Sequence, residues 1–126
     1  MSGSHILYVE DNESNVLVVQ RVCEHLGLPL QVATNASDAI TSVLESCPRL
    51  ILMDVSLPDV DGLVATNMIR NLKAPIASVP IIALTASAMV GDRERCLAAG
   101  CNDYLAKPFQ VRALVGILER YLNNGD

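Results

Sequence analysis

Leu50-Ile51-Leu52-Met53-Asp54 decides the fold: four apolar residues run without a polar interruption and end on one carboxylate. The run is too short for a core helix. Its lack of alternation suits a strand buried on both faces, as in a parallel sheet covered by helices. Val79 to Leu84 reads the same way, and three more short runs complete a set of five: Ile6 to Val9, Leu30 to Ala33 and Tyr104 to Ala106.

Helix-like stretches separate these runs. Val16, Val19, Val22, Cys23 and Leu26 fall at helical spacing, with Gly27 as a C-terminal stop. Asn35, with Asp38 three residues on, predicts an N-cap, and Ala39, Ile40, Val43 and Leu44 the apolar face of a second helix that Pro48 ends. Gly62 to Leu72 reads as a third helix and Ala88 to Ala99, closed by Gly100, as a fourth. Val111, Leu114, Val115, Leu118, Tyr121 and Leu122 mark a fifth, ending at Asn123-Asn124-Gly125. Strand then helix, five times over, predicts a doubly wound α/β fold with helices on both faces of a parallel sheet.

The 126 residues, 51% of them hydrophobic, allow one sizeable core and one domain. That domain is expected to span 1–126, with its core at about 5–122. Fourteen acids against nine bases give a net charge of -5, and no basic run occurs, which argues against nucleic acid. Met1 to His5 lacks a signal peptide's basic start and apolar stretch, and no run approaches the length of a membrane span, so a cytoplasmic protein is expected. Cys23, Cys47, Cys96 and Cys101 form no metal-binding pattern and read as buried thiols; His5 and His25 have no partner pattern.

In an open parallel sheet, ligands bind outside the carboxyl ends of the strands. The first run is followed by Glu10 and Asp11, the third ends at Asp54, the fourth at Thr85, and the fifth leads to Lys107-Pro108. Two carboxylates about 5 Å apart repel by roughly 3 kcal/mol at an effective dielectric of about 20. Three together call for a cation, and all-oxygen ligation points to a hard ion such as Mg2+. One carboxylate is then placed to attack phosphorus, while Lys107 and Thr85 contact the other phosphoryl oxygens. Any one of these residues alone would be a turn residue, a cap or a solvated lysine. Their arrival at equivalent strand ends is what argues for phosphoryl transfer onto an Asp.

Tyr8-Val9-Glu10-Asp11-Asn12, Leu52-Met53-Asp54, Leu57-Pro58-Asp59-Val60-Asp61-Gly62, Ala83-Leu84-Thr85-Ala86 and Tyr104-Leu105-Ala106-Lys107-Pro108 resemble, in order, the signature segments of response-regulator receiver domains of two-component systems. The resemblance covers nearly the whole chain. It implies a flavodoxin-like sheet of order 2-1-3-4-5, as in the chemotaxis member of the family. It implies Asp54 as phosphoacceptor and Mg2+ held by Asp11, Asp54 and the Ser56 backbone carbonyl. Glu10, where many members carry Asp, would reach the metal directly or through water. Lys107 would bind phosphate, its bond to Pro108 being cis, and Thr85 and Tyr104 would form a switch pair. Ser56 and Ser87 occupy positions that tune acyl-phosphate hydrolysis, and Met89 and Val90 an apolar spot that either meets a partner or packs on the body. Asp59 and Asp61 read as loop and turn residues, Asn12 as a cap.

Thr85-Ala86-Ser87-Ala88-Met89 and Asp92 to Gly100 are also similar to receivers of hybrid sensor histidine kinases. The implied protein is a phosphoacceptor switch and not an enzyme, although it assists its own phosphorylation and dephosphorylation. Its partners would be a histidine kinase or histidine phosphotransfer protein and a target on the face of the fourth helix, fifth strand and fifth helix, with the domain a monomer or weak dimer. The alternative is a receiver from a hybrid kinase that relays phosphate to a phosphotransfer protein. A flavin carrier of the same topology is excluded by acidic Glu10-Asp11-Asn12-Glu13 where a phosphate loop is needed. A phosphatase using an Asp nucleophile needs a second Asp two residues after the first, where Ser56 stands.

Overall fold

A computed structural model describes residues 5–86 and 91–123. Five parallel strands, β1 (Ile6–Val9), β2 (Leu30–Ala33), β3 (Leu50–Asp54), β4 (Ile81–Thr85) and β5 (Asp103–Ala106), pair in the order 2-1-3-4-5. Between and after them lie α1 (Glu13–Leu26), α2 (Ala36–Glu45), α3 (Gly62–Arg70), α4 (Asp92–Ala98) and α5 (Val111–Asn123). The architecture is the doubly wound fold expected from the alternation of runs, with the flavodoxin-like strand order that the family resemblance implies. β1, β3 and β4 are buried at every position, which is why their sequences do not alternate, whereas β2 lies at the sheet edge and exposes Gln31 and Val32.

Side chains of successive strand residues point to opposite faces, so each strand feeds two cores. Ile6, Tyr8, Leu50, Leu52, Ile82 and Leu84 pack with Val19, Val22 and Cys23 of α1 and Leu114, Leu118 and Leu122 of α5. Leu7, Val9, Ile51, Met53, Ile81 and Ala83 pack with residues of α2 and α3 and with Cys96 of α4. All four cysteines are buried and free.

The helix ends follow the local chemistry. Asn12 Oδ1 accepts from the Asn15 N–H and Asn35 Oδ1 from the Asp38 N–H, so both asparagines are N-caps. Gly27 closes α1 at φ 72°, a left-handed conformation that favours glycine. At the end of α4, Gly100 (φ 111°) donates to the Leu97 carbonyl and Cys101 to the Cys96 carbonyl, the paired closure of a Schellman motif. The Arg70 guanidinium ties this end down, donating to the carbonyls of Gly100, Ala77 and Val79 and to Asn102 Oδ1.

Several expectations shift. The fourth run is a strand only from Ile81, because Val79 and Pro80 follow a 3-10 turn at Ile76–Ser78. The third helix stops at Arg70, two residues short of Leu72. Leu44 and Val111, expected in the core, are 60% and 51% exposed, because each lies on the flank of its helix that turns away from the sheet. The start of the fourth helix at Ala88, and Ser87, Met89 and Val90, lie outside the described residues; within them α4 begins at Asp92, after Gly91. The Lys107–Pro108 bond is cis, and so is Ala74–Pro75, which the sequence did not suggest.

Candidate functional site

Parallel register brings the carboxyl ends of β1, β3, β4 and β5 to one edge. Val9 pairs with Met53, Asp54 with Leu84, and Thr85 with Ala106, so Glu10, Asp54, Thr85 and Lys107 emerge at neighbouring heights. Glu10, Asp11 and Asp54 each present a carboxylate oxygen, and these oxygens all lie within 4.8 Å of one another. Glu10 and Asp54 are buried, at 1% and 3% exposure, whereas Asp11 faces solvent. The Lys107 ammonium lies 2.8 Å from Glu10 Oε1 and 3.1 Å from Asp54 Oδ1.

The buried carboxylates respond in opposite directions. Burial, reinforced by the adjacent Glu10 carboxylate, raises the Asp54 pKa to about 6, against the opposing pull of the Ser56 N–H and Lys107. Burial also acts to raise Glu10, but hydrogen bonds from the Lys107 ammonium and the Tyr8 hydroxyl, together with a proton held on neighbouring Asp54, outweigh it and keep its pKa below the usual carboxylate value. Burial alone would lower the Lys107 pKa; its bonds to Glu10 and Asp54 reverse that and raise it. One partly buried ammonium thus faces two buried acids and a third at the rim. That excess negative charge, offered entirely by oxygen donors, fits a small hard divalent cation.

The surrounding loops hold the acids in place. The Ser56 N–H donates to Asp54 Oδ1 at 3.1 Å, while Asp61 Oδ1 caps α3 through the Leu63 N–H at 2.7 Å. Gly62 closes the loop after β3 by donating to the Val55 carbonyl, and a Cβ there would overlap the Asp54 carbonyl oxygen. Asp59 lies in that loop, as read from sequence, and also joins it to α2: its two oxygens accept from the Ala36 and Ser37 N–H groups at 2.9 and 3.0 Å. No short-range pattern announces that pairing. Thr85 is buried at the end of β4, and its carbonyl accepts from the Lys107 N–H at 2.7 Å. Tyr104 is half-buried against the core shared with Ala83 and Cys96. Alternation puts the Thr85 side chain on that same face.

Two further side chains reach Glu10. The Tyr8 hydroxyl, fully buried, donates to Oε1 at 2.9 Å, and Asn15 Nδ2 to the same oxygen at 3.3 Å. Reading the sequence left Tyr8 without a role. The available signal was a tyrosine in an aliphatic strand two residues before an acid, which places both on one face.

The family model for the response regulator receiver domain matches residues 6–119, nine-tenths of the chain and every element that carries the site. The chain belongs to that family. This receiver domain is 39% identical over 118 residues to hybrid signal transduction histidine kinase G of Dictyostelium discoideum, and 35% identical over 119 residues to the polar-differentiation response regulator DivK of Brucella anthropi. It covers 3% of the Dictyostelium kinase and 96% of DivK; the matched residues are 92% and 94% of this chain. Among solved structures, the receiver domain of sensor histidine kinase PA1611 from Pseudomonas aeruginosa PAO1 superposes with a TM-score of 0.86 at 44% identity, covering 97% of this chain and 99% of that one. That structure carries a magnesium ion coordinated in its active site cleft. Among the described residues of this receiver domain, no helix is long and apolar enough to cross a membrane.

Proposed function

We propose that this receiver domain takes a phosphoryl group onto Asp54 from a phosphohistidine of a kinase or phosphotransfer protein. The observation that carries the reading is the Lys107 ammonium 3.1 Å from Asp54 Oδ1, beside three carboxylates whose oxygens lie within 4.8 Å of one another. Asp11, Asp54, the Ser56 carbonyl and Glu10, directly or through water, would hold Mg2+. When bound, Mg2+ supplies charge that offsets the acids and polarises the phosphoryl oxygens.

The chain's own residues do the rest. Ser56 and Lys107 orient the Asp54 carboxylate; one of its oxygens forms the new P–O bond as the P–N bond of the donor breaks. Lys107 then has a phosphoryl oxygen to bind in place of the Asp54 charge. Thr85 turns its hydroxyl towards the phosphoryl group, Tyr104 moves inward behind it, and the altered population remodels the face of α4, β5 and α5 where a downstream protein binds. The domain acts as a phosphoacceptor, assisting its own phosphorylation and dephosphorylation and not turning over a separate substrate. One receiver unit spans 1–126, works in the cytoplasm without contacting nucleic acid or membrane, and is a monomer or weak dimer.

A second reading makes the domain a relay station that passes phosphate to a histidine phosphotransfer protein. It is supported by likeness to receivers carried within histidine kinases. Radiolabelled transfer from an autophosphorylated histidine kinase core tests the common part of both readings. Label on wild type with Mg2+, and none with chelator or on Asp54→Asn, is expected; label on Asp54→Asn would move the acceptor elsewhere.

A further inference from the structure

The structure gives the two oxygens of buried Glu10 different surroundings. Oε1 accepts from the Tyr8 hydroxyl at 2.9 Å, Lys107 Nζ at 2.8 Å and Asn15 Nδ2 at 3.3 Å, whereas Oε2 accepts from the Asn12 N–H at 3.3 Å. Three donors on one oxygen fill its accepting capacity and direct the remaining capacity of the carboxylate to Oε2. A glutamate has one more rotatable bond than an aspartate, so its carboxylate has more freedom to lose before it serves a metal. Tyr8 removes that freedom. It sits on rigid, fully buried β1, two residues before Glu10 and on the same face, packed in the core formed with α1 and α5.

We infer that Tyr8 is a positioning residue for the cation site: its hydroxyl pins Oε1 beside Lys107, so that Oε2 serves the metal or its bound water. The inference rests on the reading of this edge as the Mg2+ site. Hydrogen-bond partners of ligating side chains typically set metal affinity by 10- to 100-fold when removed. Tyr8→Phe deletes one oxygen, fills the same space and leaves Glu10 its bond to Lys107, so the metal-free fold persists.

Calorimetric Mg2+ titration of four proteins tests this: wild type, Tyr8→Phe, Glu10→Asp and the double variant, with the thermal midpoint of each in chelator as a check on folding. Glu10→Asp shortens the side chain by one methylene and draws its carboxylate away from the Tyr8 hydroxyl. Tyr8→Phe is expected to weaken Mg2+ binding about tenfold when Glu10 is present and less than about twofold when Glu10→Asp is already in place. Equal losses in both backgrounds would make Tyr8 a general structural residue and overturn the inference, as would no loss in either. Absence of Mg2+ binding by folded wild type is a separate outcome, and it would overturn the metal-site reading and this inference together.

Discussion

The Lys107 ammonium lies 3.1 Å from Oδ1 of Asp54, although β4 separates the strands that carry the two residues. The lysine reaches across because it leaves the sheet one residue after β5, anchored by its own N–H to the Thr85 carbonyl. It also holds Glu10, the residue after β1, so a single cation joins the ends of three strands. One positive charge cannot balance all the acids it meets, and the consequences are measurable.

Without metal, ionised Asp54 is a burden on the fold. Its pKa rises from 3.8 in the unfolded chain to about 6 in the folded domain, so between those values the native state binds the proton more tightly. This group therefore favours folding as pH falls through 6 and opposes it above. In chelator at about pH 7.5, Asp54→Asn is expected to be more stable than wild type by about 2 kcal/mol, with the gap closing as pH approaches 4. Urea denaturation at both pH values checks it, and an Asn variant less stable at both would contradict the charge argument.

Removing the cation has the opposite sign. Lys107→Met strands two buried carboxylates, and a loss of about 3 kcal/mol is expected in chelator near neutral pH. Adding Asp54→Asn to that variant removes one of the stranded charges and restores part of the loss. Because the folded-state pKa of Lys107 is raised, its contribution is fully present at neutral pH and fades only as pH rises through that value. Denaturation of the single and double variants reads the coupling directly; additive effects would mean that Lys107 and Asp54 are energetically independent.

Gly62 tests how tightly the loop after β3 fixes Asp54. A Cβ at this position would overlap the Asp54 carbonyl oxygen and approach the Val55 Cα to 2.9 Å, both backbone atoms with little freedom to yield. Gly62→Ala is expected to cost roughly 2–4 kcal/mol and to slow phosphoryl uptake. Thermal unfolding and uptake rates check the two effects, and an alanine variant with wild-type values of both would show that the backbone relaxes freely there.

β1, β3 and β4 were readable because burial on both faces leaves continuous apolar runs, and the candidate site was legible because its residues stand at or directly after the ends of such runs. Asn12, Asn35 and Gly27 were equally legible, since caps depend on contacts a few residues apart. Leu44 and Val111 were misplaced because helical spacing alone does not say how wide an arc the sheet covers. Asp59 and Tyr8 were missed for another reason. Their partners, the N-terminus of α2 and Oε1 of Glu10, are set by tertiary placement and side-chain reach, which no local pattern encodes. Arg70, inside the stretch read as the third helix, likewise drew no reading of its own, yet it binds carbonyls brought together only by the folded sheet.

Peptide mass spectrometry after incubation with acetyl phosphate tests the central claim most directly, run with Mg2+ and with chelator on wild type and Asp54→Asn. A labile phosphoryl adduct on the peptide containing Asp54 is expected, present only with Mg2+ and absent from the variant. An adduct that forms equally well in chelator, or that persists when Asp54 is replaced, would contradict it.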